Sequence, residues 1–315
     1  MNLFFSPILY LEIENDFSTF SIFQGLSIVN DIPADAWKVF GTSTAGVVVS
    51  HPIWFEYHEI GNRNRQNYTN EISGSKNFFL SIGLWLIKDN SIFSPNAYLY
   101  YTPEIFCTDN RNTFVSNSKG HYRPTKFSLE EFKLAENRVE KLKLIIDAKP
   151  HSPSTDDQPE SVIISSFNML EHNNFNRVHR AINFLTFARY NSHILIKISW
   201  YIVALEALFL TTNDGDISFK LRTRIPVFLG GSNEEKDKLY ESIRSAYSMR
   251  SSFLHGDKIS NKLKSLEKQI EISNEIDIII RTIFNRIIDN EDDKNLFLND
   301  KLLEDFFLNI TLQKS

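Results

Sequence analysis

Cysteine is almost absent from this chain: Cys107 stands alone among 315 residues. A single thiol excludes an intrachain disulfide framework and any cysteine-rich zinc site, and it fits a reducing cytoplasm. The N-terminus lacks the basic, apolar and small-residue pattern of a secretory signal. Long hydrophobic runs are lacking too. The most apolar stretch, Ile194 to Leu210, covers 17 residues and carries Lys197 and Glu206. It is too short and too charged for a membrane span, so a buried bundle helix is expected there and no membrane partner. There is no glycine-rich phosphate loop, no HExxH pair, no nucleophile elbow and no internal repeat. No cofactor or metal is expected.

What is present is an ordinary globular composition, 42% hydrophobic and 23% charged, with 26 phenylalanines. Its length allows two domains, each with its own core. The net charge of −5 argues against a nucleic-acid binder. The distribution says more. Between Arg177 and Ser265 lie 14 Lys and Arg against 8 Asp and Glu, while the remainder holds 20 against 31. A basic region inside an acidic protein suits a phosphate-contacting face, and equally a solvated helical surface.

The first 125 residues read as strands. Phe4 to Ile13, Trp37 to Val49, Ile53 to Ile60, Phe78 to Ile87 and Ile92 to Tyr101 are rich in aromatic and β-branched residues, with Asn, Asp, Gly, Ser and Pro clusters between them. Ser128 followed by Glu131 is a capping box opening a helix to about Ala148, with Leu129, Phe132, Leu142, Leu144 and Ile145 on its apolar side. Three prolines in the polar stretch 150–159 mark a linker. Beyond it, helices are expected at 174–191, 193–211, 217–229, 233–255, 260–289 and 300–311, with Ser232 and Glu235 as a second capping box and Glu291-Asp292-Asp293 as an acidic turn. The fold class is therefore α+β: a strand-rich domain over 1–149, a linker, and an all-α bundle over 160–315.

The most informative segment is Ile243 to Gly256, which sets Arg250 and His255 five residues apart at a helix end. A guanidinium holds anionic oxygens, and an imidazole moves protons near neutral pH. Five helical steps leave the two side chains roughly 140° apart. Gly256 is the expected helix stop, and would leave His255 in a last turn free to lean toward Arg250 or toward a second subunit.

Three elements in order, Ala204-Leu205-Glu206-Ala207-Leu208-Phe209, then Ile217 to Gly230, then Tyr247 to Gly256, resemble the Apea-like branch of the HEPN superfamily over about residues 160–290. That resemblance implies a HEPN-type bundle and metal-independent endoribonuclease chemistry, with an RNA 2′-hydroxyl attacking the adjacent phosphorus. It implies Arg250 and His255 as the catalytic pair. It also implies a homodimer whose two Arg–His elements face one another, acting as a toxin or effector in microbial defence, with the N-terminal part sensing or regulating. The alternative is a non-catalytic module that binds RNA or nucleotide, or a dimerising scaffold.

Further candidates surround the pair. Glu206, inside an apolar helix, needs a cationic partner, and Arg224, Lys220 or Arg250 can supply one. Tyr247 lies three residues before Arg250 on the same helix face, and Ser251 follows it as an auxiliary contact. Lys220 and Arg222 are candidate RNA contacts. His51, Glu56 and His58 form a weak metal-like grouping on a strand, and His121-Tyr122-Arg123 reads as a solvated loop.

Overall fold

A computed structural model describes residues 2–14, 19–21, 26–29, 53–59, 74–101, 104–110, 114–148, 175–211 and 215–312. The chain divides into two compact units. One comprises Met1–Val139 with Arg189–Ile194; the other comprises Glu140–Ala188 with Leu195–Ser315. The expected linker at 150–159 and the expected strand Trp37 to Val49 lie outside the described residues.

In the first unit, β1 (Asn2–Pro7), β3 (Thr19–Ser21), β4 (Leu26–Val29), β5 (Trp54–Glu59), β6 (Asn96–Tyr101) and β7 (Glu104–Asn110) build a six-stranded sheet ordered β3-β4-β5-β1-β6-β7. Every neighbouring pair in it is antiparallel. A short parallel pair joins β2 (Leu11–Ile13) to β8 (Thr125–Phe127). The expected strand Phe4 to Ile13 is thus split into two. Tyr10, with φ at 61°, turns the chain between them.

The expected strand Phe78 to Ile87 is a helix. A π-helical turn, Phe79–Gly83, runs into α1 (Leu84–Ile87). A short continuous apolar run has no periodicity to separate a buried strand from a buried helix, and here every residue from Phe79 to Leu86 is buried. Gly83 lets the turn sit close to its neighbours. A Cβ there would fall 2.6 Å from Val139 Cγ2 and 3.2 Å from Phe79 Cδ2. Phe79, Leu80 and Leu84 join Phe127, Phe132, Ala135 and Val139 in one apolar core.

The helix α2 (Leu129–Ile146) begins as its sequence requires: Ser128 N–H donates to Glu131 Oε2 at 2.9 Å, and Glu131 N–H donates to Ser128 Oγ at 3.2 Å. Leu144, expected on the apolar side, is 76% exposed.

The second unit is a helical bundle: α3 (Arg177–Arg189), α4 (Ile194–Phe209), α5 (Ile217–Leu229), α6 (Asn233–His255), α7 (Leu266–Asp289), α8 (Glu291–Leu298) and α9 (Asp300–Leu312). Both compact units take part in α2, α3 and α4, since the division falls inside these helices. The acidic turn expected at Glu291-Asp292-Asp293 is the first turn of α8, where Asn290 caps and three carboxylates meet the positive end of the helix dipole. The helix expected to start near 260 starts at Leu266, with Ser265 as its cap. Among the described residues no helix is long and apolar enough to cross a membrane.

The bundle buries α4 almost entirely: Ile198, Tyr201, Ile202, Ala204, Leu205, Leu208 and Phe209 are core residues. Tyr201 carries a hydroxyl into that core, where it donates to Asp277 Oδ1 at 2.9 Å. Asp277 is fully buried, and Arg281 one turn along α7 reaches its other oxygen at 2.7 Å. Removing the carboxylate takes an acceptor from a buried hydroxyl and a counter-charge from a guanidinium, which is worth about 3 kcal/mol. Asp277→Ala is expected to lower unfolding free energy by that order in urea titration, with Asp277→Asn losing less because it keeps the tyrosine's acceptor.

Candidate functional site on helices α4 and α6

The site grows out of α6. Ser232 and Glu235 close its N-terminus as a reciprocal capping box, with N–H to oxygen distances of 2.8 and 3.2 Å. Ile243, Ala246 and Met249 recur at helical spacing and are its buried residues. Arg250 is the next position round from Met249, at the edge of that buried stripe. The helix runs unbroken through His255. Gly256 then adopts φ 74° and ψ 14°, and the N–H groups of Gly256 and Asp257 both reach Ser252 O.

Arg250 Nη2 lies 3.5 Å from Glu206 Oε2 on α4, with the two side chains 22% and 17% exposed. The guanidinium carbon also sits 5.6 Å from the centre of the Tyr247 ring, within cation–π range. Of the three partners considered for Glu206, the structure selects Arg250. Burial pushes the Glu206 carboxyl above its ordinary value, and the Arg250 charge offsets this only partly. The pair is under-satisfied: Glu206 Oε1 and Arg250 Nε are both buried without a hydrogen-bond partner. Leaving a buried polar atom unmatched is costly for each of the two groups.

His255 is exposed, as is Leu254 before it. Because the helix is regular between Arg250 and His255, the roughly 140° between the two positions persists. One chain therefore does not aim both groups at one atom. Ser251 is half-buried on the following position.

The remaining expected site residues are dispersed. Arg224 is buried and turns away from Glu206: its Nη1 donates to Phe209 O at 2.8 Å, and its Nη2 meets Glu304 Oε1 of α9 at 2.6 Å. Its guanidinium carbon lies 4.9 Å from the Phe307 ring centre. Arg222 sits between the rings of Phe219 and Tyr240, at 5.5 and 5.3 Å. Lys220 lines a recess with Phe219, Thr223, Arg224, Val227, Phe307 and Leu308. Glu304 is a partner the sequence did not suggest, since 80 residues separate it from Arg224. His51 and the side chains of Glu56 and His58 lie outside the described residues, and among those described no cluster of three or more His, Cys, Asp and Glu could hold a metal.

Two measurements check this geometry. A carboxyl whose folded pKa is raised contributes stability that is complete below its unfolded value, near 4.5, and is lost as pH rises through the folded one. The stability of Glu206→Gln relative to the parent is therefore expected to rise with pH across that window in urea titrations. At Gly256 a Cβ would meet nothing within 4 Å, so Gly256→Ala tests the left-handed backbone alone and is expected to cost about 1 kcal/mol by the same method.

No family model matches the chain, and no curated protein and no solved structure matches it either.

Proposed function

We propose that this protein is a metal-independent endoribonuclease in which two copies of the bundle present Arg250 and His255 to one RNA strand. The observation that carries this is the partly exposed, incompletely matched Arg250, held by Glu206 and Tyr247 on the helix that ends in an exposed histidine. An ion pair at 3.5 Å is longer than a good charge-assisted hydrogen bond, so a phosphate oxygen can compete for the guanidinium.

In the chemistry this supports, an imidazole takes the proton of the 2′-hydroxyl as the O2′–P bond forms. The P–O5′ bond then breaks, and the leaving 5′-oxygen receives a proton from an imidazolium. Arg250 meets the charge that builds on the non-bridging oxygens. The angle between the two positions on one helix is the reason a second chain is needed. With a His255 from each copy, one can act as base and the other as acid.

Such an enzyme acts as a toxin or effector in microbial defence, with the strand-rich unit sensing a trigger or restraining the bundle. A HEPN-type module that binds RNA or nucleotide without cutting, or that serves as a dimerising scaffold, is the second reading. It is favoured by the engagement of Arg250 with Glu206.

Expression of the parent is expected to arrest growth, and His255→Ala to relieve the arrest, with RNA cleavage down about 100-fold or more. Products are expected to end in 2′,3′-cyclic phosphate. Equal harmlessness of parent and variant, together with intact RNA in the presence of the purified dimer and its trigger, would assign the protein to the non-cutting class. A 3′-hydroxyl product end would exclude attack by the neighbouring hydroxyl.

A further inference from the structure

Arg222 of α5 is half-buried, and among the described residues no carboxylate pairs with it and no oxygen accepts from it. Elsewhere in the bundle Arg177, Arg224, Arg281 and Arg286 each meet a carboxylate. Taking a charge partly out of water costs free energy that a counter-charge normally offsets. For Arg222 the neighbours are two aromatic rings instead. Phe219 stands one turn earlier on α5 and meets it by helical spacing, with the guanidinium carbon 5.5 Å from its ring centre. Tyr240 of α6 approaches at 5.3 Å.

A ring attracts a cation without supplying an oxygen for its N–H groups. Nε of Arg222 is buried without a partner, whereas Nη1 and Nη2 are not buried. The planar fork of the guanidinium is therefore open to the oxygens of an anion, and a phosphate fits its geometry.

The place of this fork on the bundle narrows the ligand. Tyr240 and Tyr247 lie seven residues apart on the regular helix α6. They are thus within about 20° of one another around it and about 10.5 Å apart along it. Tyr247 carries the Arg250 guanidinium on its ring, as Tyr240 carries that of Arg222. One edge of α6 therefore presents two tyrosine–guanidinium pairs two turns apart. Beside the Arg222 pair, Phe219 is 52% exposed. A cation for the backbone next to an exposed ring for a base is what a single strand takes.

We propose that Arg222 and Phe219 form a subsite for an RNA nucleotide flanking the one that Arg250 and His255 address, with its phosphodiester on Arg222 and its base stacked on Phe219. The subsite rests on the RNA reading of that pair, and it binds without taking part in the bond changes.

The test uses the full-length protein and a fluorescein-labelled 2′-O-methyl oligouridylate of about twelve nucleotides. This strand lacks the attacking hydroxyl and stays intact during an anisotropy titration. Arg222→Gln, which removes the charge and keeps most of the stem, is expected to weaken binding about tenfold. It is also expected to flatten the slope of log K against log salt by about 0.7. Phe219→Ala, at an exposed position, is expected to weaken binding by about tenfold with the slope unchanged, and it carries the test if Arg222→Gln fails to fold. Lys268→Ala, which removes an equal charge from the exposed surface of α7, is expected to bind like the parent. The proposal is overturned if the parent does not bind the strand, if either folded variant binds like the parent, or if Arg222→Gln keeps the parent's salt slope. Binding of UMP as tight as that of the strand also overturns it. Binding that depends on Arg222 and Phe219, in a protein that leaves unmodified RNA intact, sustains the subsite and removes the cleavage reading instead.

Discussion

The bundle depends on one constraint: α4 ends inside the apolar interior, and its last carbonyls have no partners within their own helix. The final turn of any helix leaves carbonyl groups unmatched, and burying them unmatched is costly. Arginines from both flanking helices solve this. Arg177 of α3 donates to Leu208 O at 2.7 Å and Leu210 O at 3.3 Å, and Arg224 of α5 donates to Phe209 O. Two guanidiniums in a core then need counter-charges, and α9 supplies them: Asp300 pairs with Arg177 and Glu304 with Arg224. One unsatisfied helix end thus ties four helices together. The end of α5 is treated similarly, with Arg286 of α7 donating to Phe228 O while pairing with Asp293. Around these clamps Phe209, Phe228 and Phe297 meet edge to face at 5.0 to 5.8 Å.

That architecture decides which cations remain for chemistry. Basic residues between Arg177 and Ser265 read, as a set, like a phosphate-binding face. In the fold Arg177 and Arg224 hold helix ends, and Arg222 is stacked between two aromatic rings. Arg250 differs from them in its counter-charge on α4, which lies 3.5 Å away and keeps its own Oε1 buried without a hydrogen-bond partner. The difference lies in the quality of the pairing, not in the charge, and sequence composition carries no trace of it.

Local signals in the chain are obeyed closely. The capping boxes at Ser128–Glu131 and Ser232–Glu235, the stop at Gly256 and the apolar run of α4 all mark elements where the structure has them, because each acts within one helix turn. Two misreadings have one origin. Phe78 to Ile87 looks like a strand because ten apolar and small residues have no period to read, and Glu291-Asp292-Asp293 looks like a turn because a capped, acidic first turn and a polar loop share a composition. What separates the alternatives is the surface each segment packs on, including the space Gly83 leaves beside Val139.

The sequence by itself determined the helical phase of Arg250 and His255, the glycine that ends their helix, and the need of Glu206 for a cation. Each follows from spacing along one helix or from the cost of a buried charge. Only the tertiary structure decided that Arg250 meets Glu206 and that Arg224 meets Glu304. The same holds for the recess that Lys220, Val227 and Phe307 come to share. Pairings between residues tens of positions apart are set by how whole helices stack, and that stacking follows from matching buried polar groups at helix ends, which no local pattern encodes.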